Sequence, residues 1–305
     1  MKKVVVYGGS GFVGSHVAEA LTDAGYQVTV FDTRESPYLR PDQNMIVGDV
    51  MDIRQVTAAA EGADVIYNFA AVADIDEASQ KPLETANINI IGNLHVLEAA
   101  RQASVERCVL ASSVYVYSRF GSFYRVSKQA AEHFVEQYHE QYGLEYTILR
   151  YGSLYGRRAD ARNGIFRMLR EALKERRITY RGDGDAIREY IHVGDAALSS
   201  VEILAPEFAN RNIILSGQER MRIRDVMHMI SEMMPWDVEL RFDTADPLSH
   251  YVVTPYAYAP RLGQKLVPNE YVDLGQGLLD CLDELEKRDD SDGTSTSEQV
   301  SALRR

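Results

Sequence analysis

Val4-Val5-Val6-Tyr7-Gly8-Gly9-Ser10-Gly11-Phe12-Val13-Gly14 is the stretch on which the reading of this 305-residue chain turns. Four β-branched and aromatic residues run into a glycine-rich turn, which opens onto Val13, Val17, Leu21 and Ala24. That spacing is one apolar face of a helix, and Gly25 stands where a C-terminal stop belongs. Glycine at 8, 11 and 14 permits positive φ, lets an anionic ligand approach the backbone, and lets the helix pack close to its strand. The free N–H groups of the helix start then face the anion. Working outward, apolar runs at 28–31, 45–47, 65–69, 108–111 and 146–149 alternate with helical patterns. This alternation predicts an α/β fold: a Rossmann-type, doubly wound parallel sheet covered by helices on both faces.

After residue 153 the pattern changes to a helix at 164–177, a short strand at 178–180 and a Gly/Asp turn at 182–185. A helix from Asp195 and a strand at 213–215 read as a return to the sheet, and 223–233 starts another helix. The expected division is therefore 1–152 plus roughly 187–217 for the sheet domain, with a smaller interleaved domain from 153–186 plus roughly 218–286. The stretch 287–305, with SDGTSTSEQ and few large apolar residues, reads as a disordered tail.

Asp32 ends the second strand about 20 residues after the glycine turn, where a carboxylate accepts from a free ribose diol and repels a 2′-phosphate. NAD is thus expected over NADP, with Arg34 the one nearby residue that could take a 2′-phosphate. Asp49, after the third strand, can accept from an adenine amino group or be a plain loop carboxylate. Further on, Tyr124 and Lys128 lie four apart at the start of a helix, so hydroxyl and ammonium share a face. A free phenol has a pKa of about 10, and an adjacent ammonium and an oxidised nicotinamide both favour phenolate. Ser112 and Ser113 end the fifth strand upstream of this pair.

Taken together these residues resemble the NAD-dependent epimerase/dehydratase branch of the extended short-chain dehydrogenase/reductases, which acts on nucleotide sugars. The resemblance rests on Gly8/Gly11/Gly14, Asp32, Gly48-Asp49-Val50, Phe69-Ala70-Ala71, Asn89-Ile90-Ile91-Gly92, Ser112-Ser113 before Val116-Tyr117, Tyr124/Lys128, Leu149-Arg150-Tyr151-Gly152 and the run from Arg188 to Val193. Past residue 220 it is weaker, resting on 223–226 and 262–266. It implies that Tyr124 takes a sugar hydroxyl proton, Ser113 orients that hydroxyl, and Lys128 lowers the tyrosine pKa and holds the nicotinamide ribose. It carries NAD contacts onto Phe12, Val13, Asp49, Val50, Phe69, Ala70, Ala71 and Asn89, and a phosphate contact onto Arg188. It also implies a homodimer, in which the helices holding 89–100 and 128–142 pair across a two-fold axis.

The departures narrow the chemistry. The family's 4,6-dehydratases carry Asp-Glu directly after the catalytic threonine, whereas this chain has Val114 and Tyr115. The decarboxylating branch needs a glutamate where Tyr115 stands. Only six residues separate Tyr117 from Tyr124, against a much longer family loop; Ser153 replaces a diphosphate-binding asparagine, and no second arginine is evident around His250. Three functions stay open: a nucleotide-sugar epimerase, most naturally at C-4; a net sugar dehydrogenase or ketoreductase; and a dinucleotide-sensing regulator. Thirty-three basic against 45 acidic residues leave a net charge of −12, which disfavours nucleic acid and anionic membranes as partners. No apolar run nears the roughly 18–20 residues that cross a bilayer, and no signal-peptide pattern opens the chain, so a cytoplasmic location is expected. Cys108 and Cys281 read as buried thiols, with no metal site expected. His192 and Asp195 read as structural, Asp195 as the N-cap of a helix over 196–204. The methionines at 221, 227, 229, 233 and 234 read as core, and Tyr251, Tyr256 and Tyr258 as either cleft or packing residues.

Overall fold

Along β1 (Lys3–Tyr7), Val4 and Val6 pack into one apolar cluster while Val5 and Tyr7 pack into another. A strand apolar on both faces belongs at the centre of a sheet covered on both sides. The computed structural model, which describes residues 1–218, 220–243 and 251–256, places it there. The other strands are β2 (Gln27–Asp32), β3 (Asn44–Val47), β4 (Val65–Asn68), β5 (Arg107–Ser113), β6 (Tyr146–Tyr151), β7 (Ser153–Tyr155), β8 (Arg177–Arg181), β9 (Ile187–His192), β10 (Arg211–Leu215), β11 (Arg220–Arg222) and β12 (Glu239–Asp243). Six of them join β1 in one parallel sheet of the order β10-β6-β5-β4-β1-β2-β3. The order reverses at β1, which pairs with β2 on one edge and β4 on the other. Ligands of such sheets bind in the crevice this reversal opens at the carboxyl ends of the strands.

The helices are α1 (Phe12–Asp23), α2 (Ile53–Ala60), α3 (Ile75–Gln80), α4 (Pro82–Ala86), α5 (Asn93–Gln102), α6 (Ser122–Tyr142), α7 (Gly164–Glu175), α8 (Val193–Glu202) and α9 (Ile223–Glu232). Val56, Leu97, Ala131 and Val135 of α2, α5 and α6 cover one face of the sheet with Ile66 and Leu110. Val17, Leu21 and Ala196 of α1 and α8 cover the other with Val30 and Leu149. A third cluster, with Met168, Ala172, Ile178, Ile223, Met227 and Ile230, joins α7, β8 and α9. Two small sheets accompany it: β11-β9-β7 and β12-β8.

Several expectations are corrected. The cap of α8 is His192, whose Nδ1 accepts from Gly194 N at 3.2 Å, and Asp195 lies in the first turn. Met229 and Met233 are 49% and 67% exposed, so only part of the methionine group is core. The 89–100 helix begins as a single wide turn, Asn87–Gly92, before α5. Cys108 is buried, and burial pushes its thiol up to about 12. Cys281, Tyr258, 262–266 and the 287–305 tail lie outside the described residues. Among the described residues no helix is long and apolar enough to cross a membrane, and no group of three His, Cys, Asp or Glu side chains could hold a metal ion.

Candidate active site

Gly8 takes φ +75°, and a Cβ there would lie 2.5 Å from Ala70 N and 2.6 Å from Phe69 C. The turn after β1 is thus pressed against the backbone that follows β4, across the crevice. A Cβ at Gly14 would lie 2.3 Å from Gly8 O, so the first turn of α1 closes on the same loop. The cap of α1 is Gly11, with no side chain bonded to the first N–H groups, which leaves them for a ligand anion. Asp32, at the tip of β2, accepts from Ser10 N through Oδ2 at 3.0 Å. Its carboxylate therefore sits beside the glycine loop.

A cleft of about 500 Å³ runs from this loop past the ends of β4, β5 and β6. It brings together Gly8, Gly11, Phe12, Val13, Gly14, Phe69, Ala71, Ser113, Tyr124, Lys128, Ser153 and Arg188. Asp32, Asp49, Val50, Ala70 and Asn89 do not line it. Asp49 is exposed and accepts from Met51 N at 2.9 Å. Val50 is packed under α5, where its carbonyl meets His95 Nδ1. Asn89 is buried with its amide engaged: Nδ2 donates to Val72 O and Ser127 Oγ, and Oδ1 accepts from Val72 N at 2.7 Å. Its role here is to tie the chain after β4 to α6.

Tyr124 and Lys128 enter the cleft from the first two turns of α6, and both are buried. Burial pushes the Tyr124 phenol up to about 12, against a hydrogen bond to Ser113 that pulls it down. Burial draws the Lys128 ammonium down to about 8, with the Glu132 carboxylate opposing. Lys128 Nζ donates to Ala111 O at 2.7 Å and stands 5.9 Å from the centroid of the Tyr124 ring. Burial is thus the largest influence on the phenol.

At the far end, β9 carries Arg188, which is 6% exposed and has no carboxylate partner among the described residues. Its guanidinium lies 4.2 Å over the ring of Tyr251, and its Nη1 donates to Ile187 O. Tyr251 in turn packs on Tyr115 with centroids 4.6 Å apart, and Tyr115 meets the edge of Tyr124 at 6.4 Å. The shortened 118–123 loop closes onto Tyr115 at Gly121, where a Cβ would lie 2.6 Å from Tyr115 Cδ1. Of this aromatic wall the sequence offers only Tyr251, as either a cleft or a packing residue; it does not single out Tyr115 as part of it, nor Asp160, Arg162 and Arg167, which line the cleft from the segment before and within α7. Glu132, 2% exposed and ion-paired to Arg150, was also missed, although its spacing of four from Lys128 was visible.

The model of one protein family matches residues 4–214 and is described as the NAD dependent epimerase/dehydratase family. The chain belongs to this family. A putative UDP-glucose 4-epimerase of Methanocaldococcus jannaschii is 25% identical over 79% of this chain and 85% of its own length. A dTDP-glucose 4,6-dehydratase of Mycolicibacterium smegmatis is 28% identical over 92% of both. Among solved structures, the UDP-glucose 4-epimerase of Thermus thermophilus in complex with NAD superposes with a TM-score of 0.73 at 27% identity, covering 83% of this chain and 90% of that one. The dinucleotide expected from the glycine turn and Asp32 is the one in the family's description. The residues here fit it: a cradle that any Cβ at Gly8 or Gly14 would fill, uncapped N–H groups, and a carboxylate at the loop's edge.

Proposed function

We propose that this enzyme is an NAD-dependent nucleotide-sugar epimerase acting at C-4 through a transient keto-sugar. What carries the reading is the meeting of Ser113, Tyr124 and Lys128 beside the glycine cradle with no free carboxylate at the reacting end among the described residues. Expelling a hydroxyl, as a dehydratase must, calls for a positioned acid. Val114, where such an acid would start, is 1% exposed, and Tyr115 is a phenol packed in the aromatic wall. Among the described cleft residues the carboxylates are Asp74, which caps α3 through Glu77 N, and Asp160, which is paired with Arg162.

In this account NAD, held by Gly8, Gly11, Phe12, Val13, Gly14, Asp32 and the 69–71 backbone, supplies the hydride acceptor and a positive charge in its oxidised form. Tyr124 Oη accepts the proton of the sugar hydroxyl and later returns it. Ser113 Oγ fixes that hydroxyl, and the Lys128 ammonium favours the phenolate form while Tyr124 is deprotonated. Arg188, buried with no carboxylate partner among the described residues, holds the diphosphate, with Ser153 lining the same cleft. In domain terms, we propose that 1–152 with about 187–217 holds the dinucleotide and that 153–186 with the described residues from 218 to 256 holds the sugar nucleotide; the rest of the expected second domain, 257–286, lies outside the described residues. We also infer a homodimer, since Leu83, Ile91, Phe123, Val126 and Phe134 expose apolar surface on α4, α6 and the turn before α5. Proton NMR of UDP-glucose incubated with the enzyme and NAD tests the activity: the 4-epimer appears, and Tyr124→Phe lowers kcat by about 10²–10⁴. A dehydrated or decarboxylated product, or full turnover in Tyr124→Phe, would reject it.

A further inference from the structure

The helical spacing that joins Tyr124 to Lys128 continues one step, to Glu132 on the same face of α6. Ser112 Oγ donates to its Oε1 at 2.5 Å, Arg150 Nε to Oε1 at 3.0 Å, and Arg150 Nη2 to Oε2 at 2.6 Å. Arg150 also donates to the hydroxyl of Tyr117. Three consecutive residues at the end of β5 are therefore each tied to one of three α6 residues spaced by four. Ala111 meets Lys128, Ser112 meets Glu132 and Ser113 meets Tyr124. A buried carboxylate is costly unless paired, and apolar residues would hold a helix on a strand at least as well. Packing alone thus gives no reason for an ion pair at this point.

We propose that Glu132 is a positioning residue for the Tyr124/Lys128 pair: fixed by Ser112 and Arg150, its carboxylate keeps the Lys128 ammonium charged and α6 in register with β5. This inference rests on the roles assigned above to Tyr124 and Lys128. Among the described residues, the titratable and charged groups around the pair are Glu132 on α6 itself with its partner Arg150 on β6, Tyr115 on the 114–117 turn and Tyr251; β5 contributes the neutral Ala111 carbonyl and Ser113. Among them Glu132 is the one carboxylate, and it opposes the burial that favours neutral lysine. Arg150 is ion-paired to Glu132, so the proposal expects removal of either partner to move Lys128 in opposite directions.

The test reads Lys128 directly and needs no sugar. The chain has seven lysines, so protein labelled with [ε-¹³C]lysine gives a resolvable spectrum, with Lys128 assigned by its loss in Lys128→Arg. In the NAD-loaded protein the Lys128 midpoint should fall in the order Arg150→Met, wild type, Glu132→Asp, Glu132→Gln, from highest to lowest. The span from wild type to Glu132→Gln should be about one pH unit or more. A purely structural role would lower the melting temperature of these variants and leave the midpoints together. Coincident midpoints, or shifts of one sign in both Arg150→Met and Glu132→Gln, overturn the proposal. Where one variant fails to fold, the order of the others decides. The outcome stands whether or not the protein epimerises a sugar, so failure here is distinct from failure of the proposed function.

Discussion

Burial drives the two central side chains in opposite directions, the Tyr124 phenol up to about 12 and the Lys128 ammonium down to about 8. Both shifts favour neutral forms, as desolvation must. The lysine shift has a consequence for stability with a definite sign. Because Lys128 titrates near 8 in the fold and near 10.5 when unfolded, the unfolded chain binds more protons between those values. The cost of burying its charge is full below pH 8 and is relieved as pH rises across the window. Denaturant titrations at pH 8 and 10 should therefore show wild type gaining stability relative to Lys128→Met; equal changes would mean that Lys128 is not buried as a cation. Asp32 sets a second expectation. NADH should bind at least tenfold, about 1.4 kcal/mol, more tightly than NADPH by fluorescence titration, and Asp32→Ala should erase the difference. Equal affinities in wild type would shift the cofactor contact to Arg34. Tyr124 and Lys128, which meet in the cleft, stand out in the sequence by their spacing of four, Asp32 by its place after the glycine turn, and Ser113 only through the family resemblance. Glu132 does not stand out, since a glutamate in mid-helix is ordinarily solvated and only its burial beside Arg150 sets it apart.

Among the elements, the strand, turn and helix from Lys3 to Asp23 follow closely from sequence, since period, glycine spacing and stop signal agree there. Gly14→Ala tests that junction. Its Cβ would meet Gly8 O at 2.3 Å, so the turn must shift. The variant should lose about 1–3 kcal/mol of stability and most of its NADH affinity. Unchanged binding would place the dinucleotide elsewhere. Among the elements that sequence did not disclose are β7, β11 and the two short helices α3 and α4, elements of three to six residues. Pieces that short span too few residues to express a period of 2 or 3.6, and contacts with β9 or α6 hold them in place. The cap of α8 went to His192 over Asp195 for a related reason, because an imidazole nitrogen can accept from the helix start but is not among the usual caps.

For the whole molecule, alternation of strand and helix was enough to predict the doubly wound sheet, whose observed order is β10-β6-β5-β4-β1-β2-β3. The aromatic wall of Tyr115 and Tyr251 was beyond such reasoning, because it joins residues far apart in the chain. The exposed apolar residues of α6 bear on assembly: sedimentation at micromolar concentration should show a dimer, and Phe134→Glu should yield monomers. A monomeric wild type would refute the inferred pairing. The central claim, oxidation and re-reduction at one sugar carbon, is tested most directly with a nucleotide sugar carrying deuterium at C-4. The account expects the epimer to form with its deuterium still at C-4 and with no lasting NADH. Deuterium found at C-6 of a dehydrated sugar, or left in accumulated reduced cofactor beside a keto-sugar, would contradict it.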